Sequence, residues 1–195
     1  MDLIDSLVEK GYLKTERIIK AFKKVDRADF MPDEVKGFAG VDEAMPIGYE
    51  QTISQPLTVA FMLEKLQPQL GDNVLDIGSG SGWTTALLSR IVGEDGHVTA
   101  IEIISALKEF GEKNASKYKA EFICGDGSKG YKKNAPYDRI LVSAAHTVIL
   151  ETWKEQLKDN GRLVCPINNS IWVIEKSSDG FKEEEYPGFV FVPLT

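Results

Sequence analysis

Short apolar runs alternate with amphipathic runs between residues 73 and 166. The apolar runs are rich in Val and Ile, which favour strands: NVLDI, HVTAIEI, AEFIC, DRILVSA and GRLVCPI. The runs between them have helical spacing: WTTALLSRIV, SALKEFGEKNASK and TWKEQLK. Strands that alternate with helices are joined by right-handed crossovers and form a parallel sheet. The pattern therefore predicts a doubly wound α/β fold.

Two helical patterns precede this region, at residues 2–10 and 15–25, and a third run, PLTVAFMLEKL, begins with Pro56. The second pattern places four apolar side chains on one face: Ile18, Ile19, Phe22 and Val25. Proline suits the first turn of a helix, so the third run is predicted to begin there.

The C-terminal part has two more strand-like runs, IWVIEK and GFVFVPL, with no convincing helix between them. We expect them to form a hairpin or an antiparallel edge of the same sheet. The charged segment DGFKEEEYPG, which separates them, is interpreted as a solvated loop before the edge strand.

Length and charge limit the classes of protein. A chain of 195 residues that is 43% apolar is long enough for one core, so a single domain is expected, with N-terminal helices and a lid (1–55), a cofactor-binding core (56–166) and a C-terminal β extension (167–195). The net charge of −7 argues against nucleic-acid binding. No apolar run approaches the roughly 20 residues of a membrane span, and the acidic N-terminus lacks the pattern of a secretory leader. A cytoplasmic protein is expected.

The two cysteines and two histidines suggest no metal or disulfide chemistry. Cys124 and Cys165 lack Cys-x-x-Cys spacing and are predicted to be reduced, buried thiols. His97 and His146 have no partner at ligand spacing, so no metal site is expected.

The first strand–helix turn, VLDIGSGSGWTTALL, has the spacing G-x-G-x-G at Gly78, Gly80 and Gly82. Dinucleotide binders have G-x-G-x-x-G, so the third glycine differs. Asp76 at the strand end would repel a pyrophosphate and suits a cationic ligand. S-adenosylmethionine is cationic and has no phosphate, and the alternative is a glycine-rich turn without a ligand.

Two further acids follow the next strands. Glu102 lies 22 residues after Gly80 and could accept hydrogen bonds from both ribose hydroxyls, although a solvent-facing acid at a strand end is the alternative. In CGDGS, Asp126 could accept from an adenine amino group, but Asp-Gly is also an ordinary turn pair.

The segment IGYEQTISQP at residues 47–56 has the pattern of neither a strand nor a helix, yet it is rich in uncharged hydrogen-bonding groups at Thr52, Ser54 and Gln55. One interpretation is a polar lid over a ligand. The other is that Ser54 or Gln55 caps the helix that begins at Pro56.

These motifs together resemble the protein-L-isoaspartate O-methyltransferase family over nearly the whole chain. The matching pieces, in the family's order, are AFKKVDRADFMP, IGYEQTISQP, VLDIGSGSGWTTALL, IEI, GDG, APYDRILVSAA, LKDNGRLVCP and FVPL. The resemblance implies a sheet of seven strands, the last one or two antiparallel, S-adenosylmethionine as cofactor, and L-isoaspartyl residues of proteins or peptides as acceptors. We expect a monomer.

The resemblance also implies roles for individual residues. Ser54 would lie beside the methyl group and the acceptor carboxylate as the catalytic residue, and the acceptor would contact Thr52, Ser54, Gln55, Ala145 and His146. The cofactor would be held by Asp76, Gly78, Ser79, Gly80, Glu102, Ile103, Asp126 and Gly127.

The expected chemistry explains a neutral lid. A carboxylate acceptor has a pKa of about 4 and is ionised at neutral pH, so it needs orientation and removal of water but no general base. Hydroxyl and amide groups orient an anion without a tight ion pair.

Several residues differ from the family's pattern, and they lie in segments that are expected to border the acceptor groove. They include Ala44, His146, Thr147, Leu150 and Asn168. Two alternatives therefore stay open: a methyltransferase for another acceptor, such as a small acid, a modified peptide or RNA, and a non-catalytic cofactor-binding relative.

Overall fold

The computed structural model describes residues 2–194. The helices are α1 (Leu3–Glu9), α2 (Glu16–Lys24), α3 (Pro56–Leu66), α4 (Trp83–Val92), α5 (Ser105–Asn114) and α6 (Glu151–Glu155). The strands are β1 (Met45–Gly48), β2 (Gln51–Ile53), β3 (Asn73–Ile77), β4 (His97–Glu102), β5 (Glu121–Cys124), β6 (Tyr137–Val142), β7 (Leu157–Ile167), β8 (Ser170–Ser177) and β9 (Gly180–Pro187). Short 3-10 helices span Arg27–Phe30, Lys36–Phe38 and Gly127–Lys129.

Seven strands form the main sheet in the order β5-β4-β3-β6-β7-β8-β9. The strands from β5 to β7 pair in parallel, and β8 and β9 add an antiparallel edge. The predicted doubly wound, mostly parallel sheet with an antiparallel C-terminal edge is therefore confirmed.

The central strand β3 is buried on both faces because each face is covered. Val74 points into a core shared with α1 to α5, whereas Leu75 and Ile77 point into a second core around Trp153 of α6. Successive side chains of a strand face opposite sides, so from Val74 to Ile77 the strand is apolar apart from Asp76. The second core is smaller, and the five-residue helix α6 is its main helical cover.

The edge strand differs from its prediction. GFVFVPL is not a strand: its Pro193 forms only an isolated bridge with Ala145. The edge strand is β9, in the segment that was interpreted as a charged loop. An edge strand exposes much of its surface to water, so charged side chains such as Glu184 are tolerated there and discourage pairing with another chain.

The helix predicted over TWKEQLK is shorter than its pattern. It ends at Glu155, and Leu157 already belongs to β7, where it pairs with Tyr137 and is 1% exposed. Strand pairing and burial override the helical spacing at this position.

The N-terminal helices lie where the periodicity placed them. Ile18 and Phe22 of α2 and Val25 just after it are buried, and Ile19 packs against the core from a half-buried position. Phe22 meets the ring of Trp83 edge-on, with 5.8 Å between ring centroids. This contact joins the N-terminal helices to the start of α4.

The segment that appeared to have no regular structure is a hairpin. β1 and β2 pair antiparallel, and the turn between them places Tyr49 and Glu50 at φ values of 54° and 59°. Two consecutive left-handed residues are typical of the tight turns that suit hairpin twist. Residues other than Gly and Asn are uncommon there, which explains why the pattern was missed.

The two thiols differ in exposure. Cys165 is buried as predicted, but Cys124 at the end of β5 is exposed, so that prediction was wrong; neither forms a disulfide. Within residues 2–194, no helix is long and apolar enough to cross a membrane.

Two glycines allow α5 to pack against the glycine-rich turn. A Cβ atom on Gly111 would lie 2.6 Å from the Gly80 carbonyl oxygen, and one on Gly82 would lie 2.7 Å from the Gly111 carbonyl oxygen. Gly82 also has a φ of +87°, which disfavours any side chain. The third glycine of the motif therefore serves helix packing.

Gly111→Ala should lower the free energy of unfolding by about 1–3 kcal/mol, because overlap with backbone atoms outweighs the better helix propensity of alanine. Urea unfolding measures this. Gly37→Ala is the control, since no atom lies within 4 Å of its Cβ position. Equal stabilities of the Gly111→Ala variant and the parent would contradict the packing role.

Candidate functional site

One cavity lies at the carboxyl ends of the parallel strands, where the strand order reverses between β3 and β6. In open α/β sheets this is the position at which ligands bind. Its lining comes from the hairpin, the glycine-rich turn, the ends of β4 and β6, and the C-terminal segment. The hydrogen-bonding side chains in it are those of Gln51, Thr52, Ser54, Ser79, Ser81, Trp83, Thr84, Glu102 and Ser143.

Glu102 fixes the glycine-rich turn while it lines this cavity. Its Oε2 accepts from the Gly80 N–H at 2.9 Å, and its Oε1 accepts from the Ile104 N–H at 3.0 Å. The side chain is 7% exposed. Because each carboxylate oxygen can accept a second hydrogen bond, both can still bind a ligand donor such as a hydroxyl.

Asp76 lies beneath the turn and does not line the cavity. Its Oδ2 accepts from the hydroxyls of Thr84 at 2.9 Å and Thr85 at 2.6 Å, and its buried Oδ1 has no partner among the described residues. Burial raises the pKa of Asp76 to about 6; the two threonine hydrogen bonds oppose that rise and the nearby Glu102 adds to it. The carboxylate lies at the first turn of α4, where the helix dipole favours a negative charge.

Of the other predicted cofactor residues, Gly78, Ser79, Gly80, Ile103 and Gly127 line the cavity. The Ser79 hydroxyl is buried without a partner, so a bound ligand could satisfy it. A Cβ on Gly127 would overlap Ile77 Cγ2.

Asp126 is not in the lining. Its Oδ1 accepts from the Ser128 N–H at 2.9 Å and the Ser128 hydroxyl at 2.6 Å, which lowers the pKa of Asp126. It therefore caps the 3-10 helix that begins at Gly127, beside the cavity. Trp83 lines the cavity and also packs on the N-terminal helices through Phe22.

A second cavity adjoins the first. It is lined by Ala44, Thr52, Ser54, Gln55, Thr58, Ser143, Val190, Phe191, Val192 and Pro193. Five residues line both cavities, and we call them the junction: Thr52, Ser54, Ser143, Val192 and Pro193. Any group that passes between molecules bound in the two cavities must cross the junction.

The capping alternative for Ser54 and Gln55 is wrong. The N–H of Leu57 in the first turn of α3 donates to Asp42 Oδ1 at 2.8 Å, and Gln55 makes no side-chain cap. The Gln55 amide instead donates to the Asp42 carbonyl at 3.0 Å and accepts from the Thr58 hydroxyl at 3.3 Å. Because Asp42, 15 positions before Leu57, caps the helix, Ser54 is not needed as a cap and its side chain can contact a ligand in the cavities.

Ala145 and His146 lie outside both linings. The Ala145 N–H donates to the Val192 carbonyl at 2.8 Å, and the Ala145 carbonyl accepts from Leu194 at 2.7 Å. His146 meets the Trp153 ring edge-on, with 6.4 Å between centroids. These two residues therefore hold the C-terminal segment and the second core next to the site.

Two parts of the site were missed from the sequence. Ser143 directly follows β6, and the rule that ligands bind at the carboxyl ends of strands could have identified it. The segment from Val190 to Leu194 had no such signal, because it was interpreted as an edge strand, whereas it pairs with Ala145 and lines both cavities.

The two cavities are almost free of charge. Among the described residues that line them, Glu102 alone is ionisable. Residues 2–194 also contain no cluster of three or more His, Cys, Asp or Glu side chains placed to hold a metal ion. A site of this kind can orient a ligand through hydroxyl and backbone groups.

Comparison with known proteins gives a consistent result over the full length. A family model described as "Protein-L-isoaspartate(D-aspartate) O-methyltransferase" matches residues 1–195. A protein-L-isoaspartate O-methyltransferase of Thermococcus sibiricus is 42% identical over 205 residues, which cover 100% of this chain and 92% of the relative.

Two solved structures share the fold. One protein-L-isoaspartate O-methyltransferase has a TM-score of 0.89 at 29% identity, and the alignment covers 99% of this chain and 65% of that chain. A second, from Plasmodium falciparum and in complex with S-adenosyl-L-homocysteine, has a TM-score of 0.88 at 21% identity, covering 99% and 96% of the two chains.

The sheet order and the cavity at its switch point define an S-adenosylmethionine-dependent methyltransferase of the Rossmann-like class. Within that class, the chain belongs to the protein-L-isoaspartate(D-aspartate) O-methyltransferase family. The resemblance noted in the sequence is thereby confirmed. The unpartnered Ser79 hydroxyl, the two Glu102 oxygens and the absence of a cation in the lining of the described residues fit a cationic nucleoside.

The pKa of Asp76 predicts a pH dependence of stability. The Asp76 carboxyl group has a pKa of about 6 in the folded chain and of about 4 in the unfolded chain. Between these pH values it is protonated in the folded state and ionised in the unfolded state. The contribution of this group to the free energy of unfolding therefore falls as pH rises from about 4 to about 6, by on the order of 3 kcal/mol.

An amide does not titrate, so Asp76→Asn should remove this loss of stability. The substitution can also change stability by an amount that is the same at every pH. The free energy of unfolding of the variant minus that of the parent should therefore increase from pH 4 to pH 7, as measured by urea unfolding without cofactor. Parallel stability profiles of the two proteins would rule out the raised pKa.

Proposed function

We propose that this chain transfers a methyl group from a donor in the first cavity to the free carboxylate of L-isoaspartyl residues in the second cavity. The observation that carries the proposal is the junction. Its three hydroxyl side chains, on Thr52, Ser54 and Ser143, form no hydrogen bond with any described residue. They are thus available to the reacting groups.

The donor site is built from backbone and acid groups. Glu102 lines this cavity and would accept hydrogen bonds from the ribose hydroxyls with its two carboxylate oxygens. The turn from Gly78 to Gly80 would bind the amino-acid part of the donor, and the turn at Asp126 and Gly127 would border the adenine. Asp76, beneath the turn, adds negative charge close to a cationic ligand. S-adenosylmethionine, when bound, supplies a methyl group on a positively charged sulfonium.

The junction orients the acceptor. An acceptor carboxylate with a pKa of about 4 is ionised at neutral pH, so no residue has to remove a proton. The hydroxyls of Ser54 and Ser143 would donate to this anion and orient one of its oxygens toward the donor. The methyl group would pass from the donor sulfur to that oxygen, and the electron pair of the broken S–CH₃ bond would stay on sulfur.

A neutral junction suits this reaction. An anion and a cation react to give two neutral products, so surroundings of low polarity favour the product side. A lysine or arginine at the junction would stabilise the ionised acceptor and lower its nucleophilicity. Hydroxyl donors position the carboxylate with a smaller stabilisation of its charge.

The departure from the family pattern at His146 does not alter the lining, because that side chain packs against Trp153 outside both cavities. This supports the isoaspartyl acceptor over a different one. The departure at Ala44 does fall in the second cavity, and a small side chain there leaves room for a polypeptide acceptor.

We also propose that the chain acts as a monomer in the cytoplasm, on isoaspartyl-containing proteins or peptides. Two unpaired cysteines, one of them exposed, are typical of a reducing compartment.

The decisive experiment compares matched isoaspartyl and aspartyl peptides with S-adenosylmethionine labelled in its methyl group. Label should pass to the isoaspartyl peptide only and should be released by base as volatile methanol, because the product is an ester. Absence of transfer at saturating donor would contradict the acceptor assignment, and a base-stable product would point to another reaction.

Ser54→Ala should lower kcat by about 10- to 1000-fold, the range expected for one preorganised donor, with little change in the Kd for S-adenosylhomocysteine. The melting temperature should not fall, because the hydroxyl caps no helix. Ser143→Ala should act in the same direction.

Two variants serve as controls for these serines. Ser170→Ala removes a hydroxyl that donates to Glu185 at 2.6 Å and lines neither cavity, so it should leave kcat unchanged. Glu102→Gln should instead weaken cofactor binding first. Normal turnover by the Ser54→Ala variant would exclude the proposed role of the junction.

A further inference from the structure

Arg27 is a buried charged residue beside the site. It begins the 3-10 helix Arg27–Phe30 and is 5% exposed. Its guanidinium forms no hydrogen bond with a carboxylate; all of its bonds are to backbone carbonyls. Burial lowers the pKa of Arg27 to about 10, and the negative charge of Asp42 opposes this change by a smaller amount.

The four carbonyls belong to the segment before the hairpin and to the residue after it. Nη1 donates to Ala39 at 3.3 Å and Val41 at 3.1 Å, and Nη2 donates to Glu43 at 2.7 Å and Ser54 at 3.2 Å. Glu43 lies just before β1, and Ser54 directly follows β2. One nitrogen therefore joins the two ends of the hairpin at its base.

The guanidinium also faces the glycine-rich turn. Its central carbon lies 5.4 Å from the centroid of the Trp83 ring, within the range of a cation–π contact. Trp83 is the first residue of α4, next to Gly82. It lines the first cavity, in which the donor is proposed to bind and which we call the donor cavity. Arg27 thus contacts both the structure that presents Ser54 and the structure that binds the donor.

Burial of this charge is costly, so its position needs a reason. A planar guanidinium with five fixed donors can bind carbonyls on two of its edges at once, whereas a lysine ammonium has one nitrogen and cannot span the same set. A hydrophobic residue could fill the space, but it would leave the hairpin base without this connection.

We infer that Arg27 is a positioning residue for methyl transfer: its guanidinium sets the distance between the hairpin base, which carries Ser54, and the start of α4 beside the donor cavity. The kinetic consequence rests on the proposed function, because it assumes that Ser54 orients the acceptor. The structural consequence, a hairpin ordered by Arg27, does not depend on the acceptor.

The test uses Arg27→Lys, which keeps the charge, and Arg27→Met, which keeps the volume. For the isoaspartyl peptide, kcat should fall by about 10- to 100-fold, since a displacement of about 1 Å is enough for such a loss. The Kd for S-adenosylhomocysteine, measured by calorimetry, should stay within about threefold of the parent value.

Hydrogen exchange gives a second, independent measurement. In either variant that folds, amides of residues 45–53 should exchange faster, while amides of β3 keep their protection. This readout stays valid even if the wild-type chain methylates no isoaspartyl peptide, so failure of the proposed function and failure of this inference are distinguishable.

Arg139→Lys is the matched control. Arg139 also donates to backbone carbonyls, of Gln67 at 3.1 Å and Asp138 at 2.8 Å, but away from both cavities. It should lower the melting temperature without changing kcat or hairpin exchange. If Arg27→Lys behaved in the same way, Arg27 would be a stabilising residue only and the inference would be overturned.

Discussion

The approach of α5 to the glycine-rich turn is the constraint on which the site depends. Gly82 and Gly111 meet so closely that a Cβ atom on either would overlap backbone atoms of the other segment. This contact lets the turn bend back over the end of β4, where Glu102 accepts from the Gly80 N–H. Glu102 then lies at the wall of the cavity with both oxygens already oriented. The same acid thus supports the turn and forms part of the cavity wall.

Charge is distributed in layers around the first cavity. Asp76 is buried below the turn and Glu102 lies in its wall, whereas the lining of the described residues has no cation. Such surroundings favour a cationic ligand and disfavour a pyrophosphate, which agrees with a G-x-G-x-G turn rather than a dinucleotide fingerprint. The buried carboxylate costs stability in the absence of a ligand, because burial disfavours its charged form.

The hairpin β1–β2 and the residue that follows it line both cavities and join the second cavity to the first. Arg27 donates hydrogen bonds to the carbonyls of Glu43 and Ser54 at the two ends of the hairpin. Ser54 precedes α3, whose first turn is capped by Asp42. The hydroxyls at the junction are free because other residues satisfy the backbone around them. A junction without charged side chains suits the proposed reaction between an ionised acid and a cationic methyl donor.

Local patterns in the sequence determined the parallel sheet, the N-terminal helices and the turn with its acidic strand ends, because hydrophobic periodicity and glycine spacing act within one element or between neighbours along the chain. They did not determine the hairpin, whose turn uses Tyr49 and Glu50 at φ values that those residues rarely adopt. Nor did they indicate that a charged segment forms the edge strand β9, since an edge accepts side chains that a central strand would exclude.

Only the tertiary structure decided how the site is completed. Asp42 caps a helix 15 residues away, Arg27 holds a carbonyl 27 residues away, and Ala145 pairs with Val192 to bring the C-terminal segment into both linings. The spacing of these residues carries no signal, because their contacts arise from chain segments that meet only after the sheet has formed. The sequence therefore indicated which residue types could bind the donor. Packing decided which of these residues line the cavity and which support the residues that line it.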